Sequence, residues 1–90
     1  MLFRSCRPSY PTAALAAKVE GMTRLRLDVD ALGHATVGAV LHSAGPTPEH
    51  KMLDDAAATA LVQCPFKPAV DAAGHAVAAS VNIEYIWRLH

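Results

Sequence analysis

The sequence predicts an α+β domain in which a three-stranded antiparallel sheet has two helices packed on one face, in the order helix, strand, strand, helix, strand. Two observations carry this prediction. Apolar and polar residues alternate with a period of two over residues 22–30, 35–42 and 77–89. Apolar residues recur at helical spacing over residues 51–63, between the second and third of these segments.

The first helix is predicted over residues 12–19, a segment rich in alanine and leucine. Pro11 suits the first turn of a helix, because its φ is already helical and its missing N–H has no partner to lose there. Gly21 is expected to stop the helix, since glycine commonly follows the last helical turn. The chain before the helix, residues 1–9, has no periodicity and is expected to be an extended lead.

The next two segments predict a β-hairpin. In the first segment one face is apolar and the other is charged, which is typical of a strand buried on one side. Leu32-Gly33 supplies the turn, because Gly33 can adopt a positive φ, and residues 35–42 then alternate again. The apolar face consists of Thr23, Leu25, Leu27 and Val29, and the charged face of Arg24, Arg26, Asp28 and Asp30.

The second helix is predicted over residues 51–63, after a loop over residues 43–49 that is rich in proline and glycine. Asp54 and Asp55 fall in its early turns, where the helix dipole favours anions. Prolines end the helix, and residues 71–74 predict another turn. The apolar face of the helix consists of Leu53, Ala57, Ala60, Leu61 and Cys64, and the terminating prolines are Pro65 and Pro68.

The last strand is predicted over residues 77–89 and is the longest. Because a helix separates it from the second strand, it is expected to pair with the first, which leaves its other side as an edge of the sheet. Tyr85 and Trp87 share a face with the strand's other apolar residues, so they are interpreted as core residues rather than anchors for a partner. That face consists of Val77, Ala79, Val81, Ile83, Tyr85 and Trp87.

Composition excludes several classes of function. Eight basic residues balance eight acidic ones, so neither nucleic acid nor an anionic membrane is expected as a partner. Residues 31–44, the longest weakly polar stretch, fall short of the roughly 18 apolar residues of a membrane span. Residues 1–7 lack the apolar core of a signal peptide, so any export signal or anchor is expected outside this sequence. A chain this short holds one core, so residues 1–90 are expected to form one domain, folded over residues 10–89.

No catalytic residue, metal site or cofactor is predicted, and the chain is not expected to be an enzyme. The sequence around Cys64 offers no oxyanion donor and no nearby histidine base, which argues against a nucleophilic cysteine. Arg24 and Arg26 are interpreted as a solvated strand face rather than as a site for an acidic peptide or peptidoglycan. The histidines lack zinc-site spacing and are interpreted as solvated turn and strand residues; they are His34, His42, His50, His75 and His90.

Cys6 and Cys64 are the two cysteines of the chain, 58 positions apart. This separation fits no metal-binding spacing, which leaves either a disulfide or two thiols. The residues alone leave both alternatives open.

The order and spacing of the turn and helix motifs in this chain resemble those of the C-terminal domain of the TonB family over residues 9–89. No single motif is specific, but the ordered set is. Ser43-Ala44-Gly45 departs from the more usual Ser-Ser-Gly of the family, and the loop that follows is longer than the minimal version. The matching motifs, in order, are Tyr10-Pro11, Glu20-Gly21, Asp30-Ala31-Leu32-Gly33, Ser43-Ala44-Gly45, Leu53-Asp54-Asp55-Ala56-Ala57, Phe66-Lys67-Pro68-Ala69, Asp71-Ala72-Ala73-Gly74 and Tyr85-Ile86-Trp87.

The resemblance implies a periplasmic domain that is tethered to the inner membrane through a missing N-terminal part and driven there by a proton-motive-force motor complex. Such a domain binds the TonB box, a short extended segment of an outer-membrane transporter, by strand addition and so couples the motor to active uptake. The same edge strand is also able to pair two copies of the chain as a homodimer. The edge residues are Ser80, Val81, Asn82, Ile83, Glu84, Tyr85, Ile86 and Trp87.

The resemblance also implies a disulfide between Cys6 and Cys64, because a subset of the family has a cysteine pair at these two places. Two alternatives to the transporter-binding function stay open. One is a TonB-like or TolA-like domain of another envelope system, which would bind a different peptide. The other is a metal-binding or thiol-active periplasmic protein.

Overall fold

The computed structural model describes residues 8–89, and it confirms the predicted fold class and element order. A short two-stranded hairpin is added before the last strand. The helices are α1 (Thr12–Ala16) and α2 (Pro48–Leu61), and the strands are β1 (Gly21–Val29), β2 (Ala35–His42), β3 (Ala69–Val70), β4 (Ala76–Val77) and β5 (Ala79–Trp87).

The main sheet has the strand order β2-β1-β5, and both pairings are antiparallel. β1 is therefore the central strand, and the last strand lies beside the first as predicted. β1 and β5 pair without interruption from Gly21 opposite Trp87 to Val29 opposite Ala79. This pairing leaves β2 and β5 as the two edges of the sheet.

The core lies between the sheet and the two helices. The predicted apolar face of β1 is buried, and it packs against one face of α2 together with residues from α1 and β5. Burial of this continuous apolar surface is the main stabilising contribution to a domain of this size. The buried apolar residues are Ala14, Leu25, Leu27, Val29, Ala35, Leu53, Ala57, Leu61, Cys64 and Trp87.

The first helix ends earlier than predicted, and Gly21 is not the residue that stops it. α1 ends at Ala16, and Lys18 adopts a positive φ of 57°. The N–H of Val19 bonds to the carbonyl of Ala14, and the N–H of Lys18 bonds to that of Leu15. These two bonds define a Schellman motif with lysine in the left-handed position that glycine usually occupies.

The second helix begins at Pro48, three residues before the predicted start, so the predicted loop is shorter by two residues. Thr47 is the N-cap: its Oγ1 accepts from the His50 N–H at 3.3 Å, and the Thr47 N–H donates to His50 Nδ1 at 3.4 Å. This is a capping box in which histidine replaces the usual glutamate or glutamine. His50 is therefore a structural residue, and its interpretation as a solvated turn residue was wrong.

The last strand begins at Ala79 rather than at residue 77, because Val77 belongs to β4. The predicted turn over residues 71–74 joins β3 to β4 in a hairpin of two residue pairs. Residues 69–76 are all exposed, so this hairpin projects from a molecule that measures 50 × 23 × 15 Å. Neither helix of residues 8–89 has the length and apolar character needed to cross a membrane.

Candidate functional site

The two edges of the sheet differ in regularity. β5 pairs with β1 in one unbroken register of nine residue pairs. β2 pairs with β1 with two register shifts, one between Arg24 and Leu25 and one between Arg26 and Leu27. Bulges bend an edge strand and interrupt its row of hydrogen-bonding groups, which blunts the edge against another chain. β5 is therefore the more regular edge for an incoming strand.

Gly38 lies at one of these irregularities in β2, beneath two charged side chains of the central strand. A Cβ at Gly38 would lie 2.6 Å from Arg26 Nε and 2.7 Å from Asp28 Oδ2. The two side chains also form an ion pair, with Arg26 Nε 3.4 Å from Asp28 Oδ1. Glycine at this position leaves room for the ion pair to lie over this face of β2.

The side chains of β5 form two rows, as the predicted alternation requires. The row on the helix side is apolar and passes from half exposed at Val81, with 38% exposure, to buried at Trp87, with 2%. The row on the opposite side, which we call the open face, is exposed and mostly polar, apart from Ile86. The helix-side residues are Val81, Ile83, Tyr85 and Trp87, and the open-face residues are Ser80, Asn82, Glu84 and Ile86.

Glu84, on the open face, pairs with Arg24 of the neighbouring strand. Both Nε and Nη2 of Arg24 donate to the same oxygen, Oε2 of Glu84, the former at 2.9 Å. At the other end of the strand, Ser80 Oγ donates to Asp28 Oδ1 at 2.8 Å. The arginines of the predicted solvated strand face therefore have carboxylate partners, Arg24 in Glu84 and Arg26 in Asp28.

Trp87 joins the edge strand to the core. Its ring packs edge-on against Tyr10, with centroids 5.2 Å apart, and against Tyr85, with centroids 4.7 Å apart. The Tyr10 hydroxyl donates to the carbonyl of Val19, while partial burial and, to a smaller extent, the charge of Glu20 raise the pKa of Tyr10. The interpretation of Trp87 as a core residue is confirmed by its burial.

Asp54 accepts hydrogen bonds from three residues. The hydroxyl of Thr23 donates to Oδ1 at 2.7 Å, the N–H of Ala44 donates to Oδ1 at 2.9 Å, and the Ser43 hydroxyl donates to Oδ2. Thr23 Oγ1 in turn accepts from Trp87 Nε1 at 3.2 Å. A buried polar chain thus links the end of β5, the central strand, α2 and the loop before α2.

A family model described as Gram-negative bacterial TonB protein C-terminal matches residues 6–89. The chain belongs to this family. The match covers nearly the whole chain and confirms the resemblance seen in the ordered motifs. No curated protein matches the chain.

Membership of the TonB C-terminal family places the chain among periplasmic, non-enzymatic protein-interaction domains of Gram-negative bacteria. The predicted edge residues 80–87 all lie in β5, so the structure brings this set together along one side of the sheet. The side of β5 that faces away from β1 has no strand partner within residues 8–89. The role of this edge in binding a peptide stays a prediction.

The predicted Cys6–Cys64 disulfide falls partly outside the described residues, because Cys6 precedes residue 8. Cys64 itself is buried, three residues beyond the end of α2. The pairing stays a prediction.

The exposed histidines His34 and His75 lie beside aspartates in two copies of the same turn. Asp30 Oδ1 accepts from the N–H groups of Leu32 and His34, both at 2.9 Å. The bond from the His34 backbone is the largest cause that lowers the pKa of Asp30. No group of three His, Cys, Asp or Glu side chains within residues 8–89 is arranged to hold a metal ion.

Two features of the site were not predicted from the sequence, the Arg24–Glu84 pair and the role of Asp54. The Arg24–Glu84 pair had a signal, since opposite charges stand on outer faces of two strands that were predicted to be neighbours. No signal in the sequence indicated the role of Asp54, because its partner Thr23 is 31 positions away and has the pattern of an ordinary strand residue.

Proposed function

We propose that this domain binds an extended segment near the N-terminus of an outer-membrane transporter by adding it to β5 as a fourth strand. The incoming backbone pairs with the outward N–H and C=O groups of β5, and its side chains lie alternately against the two rows of that strand. The observation that carries the proposal is the unbroken register of β5 with β1, which leaves a regular edge nine residues long.

The contrast with β2 supports the choice of edge. Two register shifts make β2 a poor template for a further strand. β5 has no register shift with β1, and its end is anchored to the core by Trp87, which packs on Tyr10 and bonds to Thr23. A strand whose inner side is fixed in this way loses little further conformational freedom when a peptide pairs with its outer side.

Family membership supports the wider role. In the proposed role, a longer protein tethers the domain to the inner membrane, where a proton-motive-force motor complex acts on it. The domain then transmits that action to the transporter through the added strand. A homodimer through β5 would compete with this role, because it would use the same backbone groups.

The proposal is tested by titrating synthetic peptides from the N-termini of the same organism's outer-membrane transporters into isotope-labelled protein. Backbone amide shifts are followed along both edges, with scrambled peptides of equal composition as controls. We expect shifts concentrated in residues 80–87 and small changes in β2. Shifts confined to β2, or no shifts along β5 at millimolar peptide, would rule out strand addition at this edge.

A further inference from the structure

Glu84 is the acidic side chain of the β5 open face, and its charge is only partly compensated. Both guanidinium bonds from Arg24 end on Oε2, and Oε1 has no hydrogen-bond partner within residues 8–89. Arg24 lies on the β1 side of the strand, so the opposite side of the carboxylate borders the unpaired edge. The side chain is about half exposed, at 48%, and remains accessible to a further cation.

A strand added to β5 places its side chains on the same two faces as the β5 residues beside them. A peptide residue beside Glu84 therefore lies on the open face, in a row that already runs Arg24, Glu84 across the sheet. Opposite charges at neighbouring positions of a sheet stabilise the pairing, and like charges destabilise it. A basic residue continues the alternation of charge in this row, whereas an acidic residue stands next to a carboxylate.

The two neighbours of Glu84 along β5 determine which side chains are favoured in the peptide on either side of the residue beside Glu84. Ile83 and Tyr85 point to the helix side, where both are partly buried against the core. Peptide residues beside them gain contact with apolar surface, so apolar and β-branched side chains are favoured there.

We infer that the edge selects an extended peptide of the pattern apolar, basic, apolar, and that Glu84 is the residue that determines the basic position. This inference rests on the proposed strand addition at β5. The selection acts through one exposed cross-strand pair, so its effect on affinity is modest, about two- to fivefold for a change of one charge.

The test uses three designed peptides that differ in one residue, Val-Thr-Val-Lys-Val-Thr-Val and its versions with glutamine or glutamate in place of lysine. Dissociation constants are measured at low salt with the wild-type domain, Glu84→Gln and Glu84→Lys. Asp55→Lys is the matched control for Glu84→Lys, because both variants change the net charge of the domain by the same amount. Asp55 lies at an exposed position of α2, away from the edge. Amide shifts of the labelled domain report where each peptide binds.

With the wild-type domain, the lysine peptide is expected to bind most tightly, the glutamine peptide less tightly and the glutamate peptide least tightly. Each step is expected to weaken binding by about two- to fivefold. Glu84→Gln abolishes most of this order, Glu84→Lys reverses it, and Asp55→Lys preserves it. Raising the salt concentration weakens the preference, because exposed charge pairs are screened. Glu84→Gln keeps the shape of the side chain, so the test remains decisive even where Glu84→Lys does not fold beside Arg24.

Equal binding of the three peptides, with amide shifts along β5, would overturn the inference and leave strand addition intact. An order that persists in Glu84→Gln, or that Asp55→Lys reverses, would also overturn it, because the preference would then come from the charge of the whole domain. Failure of all three peptides to shift any β5 amide would instead count against the proposed function itself.

Discussion

The hydroxyl of Thr23 on the central strand donates a hydrogen bond to Asp54 of α2 across 2.7 Å, and both residues are buried. Thr23 also accepts from the indole of Trp87, at the end of the edge strand. A buried carboxylate is tolerated only where donors replace the water it loses, and Asp54 has three of them. Through Thr23, the two bonds together connect the helix layer to β5, the strand that we propose binds the peptide.

Replacing Asp54 with alanine is expected to lower the free energy of unfolding by about 3 kcal/mol, because it leaves the Thr23 hydroxyl and the Ala44 N–H without their acceptor. Asp54→Asn keeps one acceptor oxygen and is expected to lose about 1 kcal/mol. Urea denaturation followed by the fluorescence of Trp87 measures both changes. The control is Asp55→Ala, at the exposed neighbouring position, with an expected change within about 0.5 kcal/mol. Equal losses at the two positions would contradict the account of Asp54.

The two copies of the Asp-Ala-x-Gly-His turn provide a matched pair of glycines. Gly33 and Gly74 both have positive φ, 87° and 84°. A Cβ at Gly33 would lie 2.3 Å from the carbonyl oxygen of Phe66, whereas a Cβ at Gly74 would meet no atom within 4 Å.

Gly74→Ala is therefore expected to cost only the strain of a left-handed alanine, about 1–2 kcal/mol. Gly33→Ala adds the displacement of the Phe66 backbone, for a total of about 3 kcal/mol or more. Thermal and urea unfolding of the two variants measure the difference. If both lose the same stability, then the contact between the first turn and Phe66 is not maintained in solution.

The turn over residues 30–34, in which Asp30 accepts backbone hydrogen bonds, is expected to contribute to stability in a way that depends on pH. Backbone bonds, first of all that from His34, lower the pKa of Asp30 in the folded state, so folding favours the ionised carboxylate. The contribution is fully present above the unfolded aspartate pKa of about 3.9 and is lost as the pH falls through the lower folded pKa. Carbon-detected NMR titration of the Asp30 carboxyl is expected to give a midpoint below about 3.9. A midpoint above that value, or acid unfolding identical in Asp30→Asn, would contradict this prediction.

The predicted Cys6–Cys64 disulfide has a thermodynamic consequence. A bridge that closes a loop of this length is expected to stabilise the domain by about 4 kcal/mol in the chain-entropy model. Thiol titration of denatured, unreduced protein from the periplasm is expected to detect no reactive thiol, and reduction is expected to lower the urea midpoint. Two reactive thiols per chain before reduction would exclude the pairing.

The sequence predicted those parts of the fold that depend on local periodicity. Alternation alone identified the buried face of β1 from Thr23 to Val29, and the same argument placed Trp87 in the core. Helix ends were less predictable, because the end of α1 depends on lysine in a left-handed conformation and the start of α2 on a histidine capping box.

A repeated motif in the sequence indicates the extra hairpin, and it is found by comparing two segments of the chain with each other. The heptapeptide Val-Asp-Ala-x-Gly-His-Ala occurs at residues 29–35 and again at residues 70–76. Its first copy forms the predicted turn between β1 and β2, so the second copy indicated the same geometry, which the structure has. Burial of Asp54 had no such signal, since only the folded chain brings Thr23 to it.

The measurement that tests the central proposal most directly is an N-methyl scan of a transporter peptide that binds the domain. Each backbone N–H of the peptide is methylated in turn, which removes one donor without changing the side chains or the protein. Strand addition to β5 uses only alternate N–H groups of the peptide, so affinity is expected to fall at every second position and to change little between them. Uniform effects along the peptide, or no effect at any position, would contradict strand addition.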